Sequence, residues 1–250
     1  MGVYLQTESK PSGRMALTQI ITCAAAPASG TGIFLPGNTN VDVTIPACID
    51  EIRANVLTST VVRLIKIHSN VTSVANSAFA GSPSLRSLVW DCCSISAIPD
   101  SLCEDCSVLD DVRLHRYTES IGAKAFVNCR WLKQAHMPAV CKTIKMYAFA
   151  CSGITDVLLP RGVVLGPGVF SNCKQLATVV ESGELNEIPE DTFQECTALA
   201  TCIVGSAKTL KRHAFYKCAA LKYVLAHRDV RIVDGAFEGV PAVTLVKTYE

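Results

Sequence analysis

The apolar positions of this chain fall into columns rather than runs. Aligned on the aromatic of "SIGAKAFVNCRWLKQAHMP" (Ser120–Pro138), the equivalent positions are Leu57, Phe79, Cys103, Phe126, Phe149, Phe170, Phe193, Phe215 and Phe237, spaced 21 to 24 residues apart. Five residues before each stands an aliphatic: Ile52, Val74, Ile98, Ile121, Ile144, Leu165, Ile188, Leu210 and Ile232. Six residues after it come Leu85, Leu109, Leu132, Leu176, Leu199 and Leu221, and two coils shorter by one residue supply Val62 and Ile154. A unit that recurs at this period calls for a repeat architecture before any catalytic one.

Beyond these leucines the pattern alternates. Ile65, Leu88, Val112, Ala135, Val157, Val179, Cys202 and Val224 are followed two residues later by Ile67, Trp90, Leu114, Met137, Leu159, Glu181, Val204 and Ala226, all apolar except Glu181. A period of two is that of a short strand with one buried face. One such coil cannot bury its own apolar side, whereas stacked coils bury a shared one. The expected fold is therefore an α/β repeat solenoid of about nine coils with one parallel sheet. The Phe column stacks in the opposite wall, in short helical turns entered through Ala78, Ala125, Ala148, Ala214 and Ala236. Residues 1–47 are expected to form a leader and cap, 48–239 the solenoid and 240–250 a capping strand, since an open terminal coil exposes core and strand edge. At Glu181 the strand is expected to end early and turn the carboxylate to solvent, because burying it unpaired is costly and the following "ESGE" favours a turn.

Three residues after the Phe column stand Cys106, Cys129, Cys173, Cys196 and Cys218, with Cys151 one residue early in a shortened coil. Thirteen cysteines in a small secreted chain would suggest a disulfide framework. A column at buried turn positions points instead to small hydrophobes with a weak donor, reduced, and so to a reducing compartment.

The segments "IGAKAFVNCRWLKQAHMP", "IKMYAFACSGITDVLLP" and "LGPGVFSNCKQLATVV" resemble the BspA-like class of leucine-rich repeats, whose unit is close to I-x-x-x-A-F-x-x-C-x-x-L-x-x-I-x-L-P. The resemblance runs roughly from Cys48 to Val246. It implies a leucine-rich-repeat stack; known members include bacterial and protist surface adhesins that bind host proteins.

Composition narrows the function. A formal net charge of +1 gives no sequence-wide attraction to nucleic acid or anionic lipid. No apolar run approaches the ~18–20 residues of a membrane span, so no membrane insertion is expected. Met15–Ser29 faintly resembles a signal core, diluted by Thr18, Gln19 and Thr22. Cys103-Glu-Asp-Cys106 is a CxxC without the matching second pair a structural zinc site needs, and both its cysteines fall in repeat columns. His68, His115 and His227 stand at the exits of three different strands, His136 lies mid-strand, and His213, two before a Phe, reads as a surface residue. No nucleophile–base arrangement and no Gly-rich phosphate loop is present, so no enzyme activity, metal or cofactor is expected.

With the inward positions assigned, the alternating ones face the open side of the sheet. In coil order they are Lys66, Val89, Arg113, His136, Leu158, Val180, Ile203 and Leu225, and Tyr223 lies beside Leu225. From Leu158 onward four successive coils present an aliphatic, a stripe of the kind that marks partner sites. Leu158, Val180, Ile203, Leu225 and Tyr223, with Arg113 and His136, are the candidate protein-binding residues. The expectation is a non-catalytic interaction scaffold or subunit of a larger assembly, cytoplasmic. The alternative is a secreted or surface adhesin.

Overall fold

The computed structural model describes residues 2–9, 15–23, 32–35, 41–57, 62–92 and 94–248. Residues 24–29 of the segment resembling a signal core, and Cys93, lie outside the described residues, whereas Met15–Cys23 is a strand. Each coil contributes to three walls around one apolar interior. The first wall holds the alternating strands, Val62–Ile67, Ser87–Trp90 and Asp111–Arg113 in the early coils and Asp156–Leu159, Thr178–Glu181, Thr201–Val204 and Tyr223–Ala226 in the later ones. The second wall holds two-residue strands such as Ser120–Ile121, Thr143–Ile144 and Val164–Leu165, paired in parallel with Ile121 opposite Ile144 and Ile144 opposite Leu165. The third wall is the turn that carries the Phe column.

The inward register is as the alternation requires. Ile65, Ile67, Leu88, Leu159, Val179, Cys202, Val204, Val224 and Ala226 are wholly buried. Behind them the rings of Phe126, Phe149, Phe170, Phe193, Phe215 and Phe237 form one stack with centroids 5.1 to 5.8 Å apart. Cys103 interrupts the column, so Phe79 is not part of that stack.

Two features differ from expectation. The turn wall is not helical; among the described residues there is no helix. The position two before the Phe column has positive φ in every coil, from Asn55 (57°) and Lys124 (55°) to Gly235 (80°). From the second coil onward the position two after it does likewise, from Gly81 (66°) and Asn128 (60°) to Gly239 (76°). Left-handed residues at both places exclude a right-handed helical turn. The reason lies in the hydrogen bonds between coils. Lys124, Phe126 and Asn128 donate their N–H groups to Met146, Ala148 and Ala150 of the next coil at 3.0, 2.8 and 2.9 Å. The intervening Ala125 and Val127 bond back within their own coil, to Gly122 and Lys124. A helix would direct every N–H along its own axis and leave the wall without these links.

The open wall is also not one parallel sheet. The early strands form a four-stranded sheet ending at Asp111–Arg113, and the later ones a five-stranded sheet beginning at Asp156–Leu159. Between them Gln134–Met137 makes a single bridge, Gln134 to Asp156. Its inward residues, Ala135 and Met137, are only partly buried, so this segment is weakly anchored.

Candidate interaction surface

The later sheet presents its outward residues in strict register. Leu158 pairs with Val180, Val180 with Ile203, Ile203 with Leu225, and Leu225 with Val246. Leu158 is 63% exposed and Tyr223 54%, while Val180, Ile203 and Leu225 are half-buried by their neighbours along the stripe. Val246 extends the row to a fifth strand, a residue absent from the sequence-based set. The alternation of "TLVK" (Thr244–Lys247) already carried that signal.

At the sheet break the face is recessed. A depression of about 500 Å³ is lined by Gln134, His136, Met137, Asp156, Leu158 and Val180, among others. His136 is thus brought together with Leu158 and Val180. Arg113 is not. It lies on the other sheet, with Nε 3.1 Å from Asp111 Oδ2 of its own strand, and that oxygen also accepts the Ser87 hydroxyl at 2.9 Å. The early half of the face continues this self-pairing: Arg63 with Asp42 at 2.8 Å and Lys66 with Asp91 at 3.7 Å. Its charges are matched internally, whereas the later half is apolar.

Glu181 does not swing into solvent. It stays in register opposite Leu159, and its carboxylate accepts the Ser206 backbone N–H and, at 2.7 Å, the Ser206 hydroxyl. Ser206 supplies both donors from the next coil, which removes the cost of holding a carboxylate at an inward position. Val180 therefore keeps its place in the outward row.

The cysteine column has a defined task. The thiols of Cys106, Cys129, Cys173, Cys196 and Cys218 donate to the carbonyls of Phe79, Cys103, Phe149, Phe170 and Phe193 in the preceding coil, at 3.0 to 3.2 Å. Those carbonyls belong to the Phe column itself and lie outside the coil-to-coil amide ladder. Cysteine is small enough for the turn and still provides a donor. Serine takes the same position twice: Ser82 Oγ donates to Phe79 O at 2.6 Å, and Ser152 Oγ lies 3.3 Å from Cys173 Sγ. Ser152, not Cys151, is the rung of the shortened coil. Burial pushes the Cys173 and Cys218 thiols up to about 12, and those of Cys103, Cys129, Cys196 and Cys202 also well above the usual thiol range.

The remaining candidate residues serve local structure. His68, His115 and His227 each accept, through Nδ1, the N–H two residues on, at 3.0, 3.3 and 3.1 Å, closing the turn that leaves the strand. His213 is not a free surface residue; it lies between Asp191 (3.5 Å) and Glu238 (3.4 Å) of the coils on either side. Cys103 and Cys106 both sit in the buried interior. Among the described residues no group of three or more His, Cys, Asp or Glu is placed to hold a metal, and no helix is long and apolar enough to cross a membrane.

Parallel two-sided strands, a stacked aromatic column and an exposed sheet face define a leucine-rich-repeat solenoid. The BspA type leucine rich repeat region matches in 6 copies over residues 30–155 and 96–222, and the chain belongs to that family. Among solved structures it is similar to the pneumococcal vaccine antigen PcpA (16% identity, 98% of this chain and 80% of that one, TM-score 0.53). It is also similar to the T. pallidum leucine rich repeat protein (18% identity, 79% and 78% covered, TM-score 0.50). A third likeness is a leucine-rich repeat protein from Bacteroides ovatus (17% identity, 96% and 79% covered, TM-score 0.50). At these identities the likeness is one of fold. No curated protein matches the chain.

Proposed function

We propose that this protein is a non-catalytic scaffold that binds a protein partner through the later half of its open face. One observation carries the reading: five aliphatic residues from Leu158 to Val246 stand side by side on hydrogen-bonded strands, with Tyr223 alongside. An apolar row of this length, about 19 Å across four intervals of ~4.8 Å, suits an interface core, and the aromatic is of the type that dominates binding energy. The recess beside His136 and Leu158 offers a socket for a partner side chain. The internal charge pairing of the early coils leaves that half with less to offer. We place the protein in the cytoplasm, as an interaction module or a subunit of an assembly. What supports this is the role of the column thiols, since a disulfide sulfur has no proton to donate to the Phe-column carbonyls.

Changing Ile203 and Leu225 together to Lys tests the surface. Neither side chain reaches the core, so the thermal transition is expected to stay near wild type. Recovery of partners in affinity capture from the native cell is expected to collapse, because two charges would be desolvated without counterparts. Lysines at Ser87 and Asp111 instead are expected to leave capture largely intact. A folded Ile203→Lys, Leu225→Lys variant that captures every native partner would remove the open face from consideration.

A further inference from the structure

On the turn wall, away from the open face, the shortened coil leaves a cleft. Between Phe126 and Leu132, and between Phe170 and Leu176, the chain has five residues, but only four separate Phe149 from Ile154. Arg130 with Trp131, and Lys174 with Gln175, are thus faced across the middle coil by Gly153 alone. Gly153 is required there: a Cβ would lie 2.2 Å from the Arg130 carbonyl oxygen. The missing residue and missing side chain leave a cavity of about 390 Å³ open to solvent. Arg130 and Lys174 form its two sides, and Cys151, Ser152 and Gly153 its floor, with amides from Asn128, Asn172 and Gln175.

The lining contains two cations and no carboxylate. Neither Arg130 nor Lys174 forms an ion pair or side-chain hydrogen bond with a described residue, whereas Arg86, Lys142, Lys145, Arg161 and Lys211 each do. Both charges act on the cleft floor. Burial raises the Cys151 thiol above its usual range, Arg130 and Lys174 oppose that shift, and Glu195, farther along the wall, adds to it. The two cations rise from coils two steps apart, about 10 Å at ~4.8 Å per coil, on either side of a floor whose Gly153 has no side chain. A compact dianion fits between them; a single carboxylate would engage one side only.

We propose that this cleft is a binding site for a phosphate or sulfate group, held between the Arg130 guanidinium and the Lys174 ammonium. Phosphate and sulfate monoesters present the same oxygen geometry, so a free anion and an esterified one are both accommodated.

Cys151 is a reporter built into the floor. In the intact reduced protein its reaction with an aryl disulfide forms a mixed disulfide. The thiolate attacks one sulfur, the reagent's S–S bond breaks, an aryl thiolate leaves, and the thiol proton passes to buffer. The rate at Cys151, followed by peptide mass mapping, is compared for dianionic dithiobis(nitrobenzoate) and neutral dithiodipyridine. The anionic reagent is expected to be favoured by about tenfold, as for charge-focused encounters, and the preference is expected to vanish in Arg130→Gln, Lys174→Gln. Both residues are exposed, so this variant is expected to melt like wild type. Inorganic phosphate and phenyl phosphate are then added at matched ionic strength against chloride. Protection of Cys151 by both means that the free anion suffices; protection by phenyl phosphate alone means that the ester is the ligand. Equal protection in wild type and the double variant, or none in wild type, overturns the proposal. The open-face reading is untouched by either result, since its variants lie on the opposite wall.

Discussion

Removing one ring from the middle of the aromatic stack tests the architecture most directly. Phe193 is wholly buried, with Phe170 at 5.8 Å and an interplanar angle of 4°, and Phe215 at 5.4 Å and 22°. Phe193→Ala deletes a buried aromatic, a change that costs about 3–5 kcal/mol in well-packed cores. Two stacked neighbours each add about 0.5–1.5 kcal/mol beyond area, and the turn cannot collapse without breaking the Phe193 N–H bond to Ala214 O at 2.9 Å. The upper part of the range is therefore expected, about 4–5 kcal/mol. For a chain of this size that lowers the melting temperature by roughly 10–15 °C. Phe237→Ala is the internal control. That ring is half-buried and has one stacked neighbour, Phe215 at 5.1 Å, so about 1–2 kcal/mol is expected. Urea denaturation followed by tryptophan fluorescence, with hydrogen exchange to locate the loosened coils, measures both. A Phe193→Ala loss no larger than that of Phe237→Ala would refute the continuous stack as the source of stability.

The thiol column gives two further tests. Cys196→Ser keeps a donor near Phe170 O and is expected to cost under about 1 kcal/mol, whereas Cys196→Ala loses donor and volume and is expected to cost about 1–2 kcal/mol; equal urea midpoints for the two would show that the hydrogen bond is immaterial. Stability should also fall in alkali. The column thiols have an ordinary value of 9.0 when unfolded and up to about 12 when folded, so below pH 9.0 both states hold the protons and between these limits only the folded state does. The unfolded state then binds fewer protons, and each such thiol lowers stability by about 1.4 kcal/mol per pH unit across that window. Cys106, whose thiol is lowered chiefly by its hydrogen bond from Cys103, is the single member shifted the other way. Urea midpoints that stay flat from pH 8 to 10.5 would exclude this coupling.

The repeat period, the inward and outward registers and the candidate stripe from Leu158 to Leu225 follow from the sequence alone. A strand alternates strictly and each coil repeats the same spacing, so side-chain chemistry records which face is buried. The link between coils leaves little such record. The residues two before the Phe column are as varied as Ser101, Lys124, Tyr147 and His213, yet all share positive φ, because the next coil's carbonyls fix their N–H groups. Two after it, the Gly, Asn and Asp at positions 81, 105, 128, 172 and 239 were a legible hint of the left-handed conformation. Only the tertiary structure shows that Gln134–Met137 leaves the sheet, that Ser206 holds Glu181, and that Ser152 rather than Cys151 completes the thiol column. The cleft at Gly153 has the same origin. In the sequence it is a coil shorter by one residue; in the stack it is a space bounded by charges from coils that are remote in sequence. Periodicity specifies what each coil buries. How neighbouring coils meet depends on main-chain hydrogen bonds and on small differences in coil length, which become visible only once the coils are stacked.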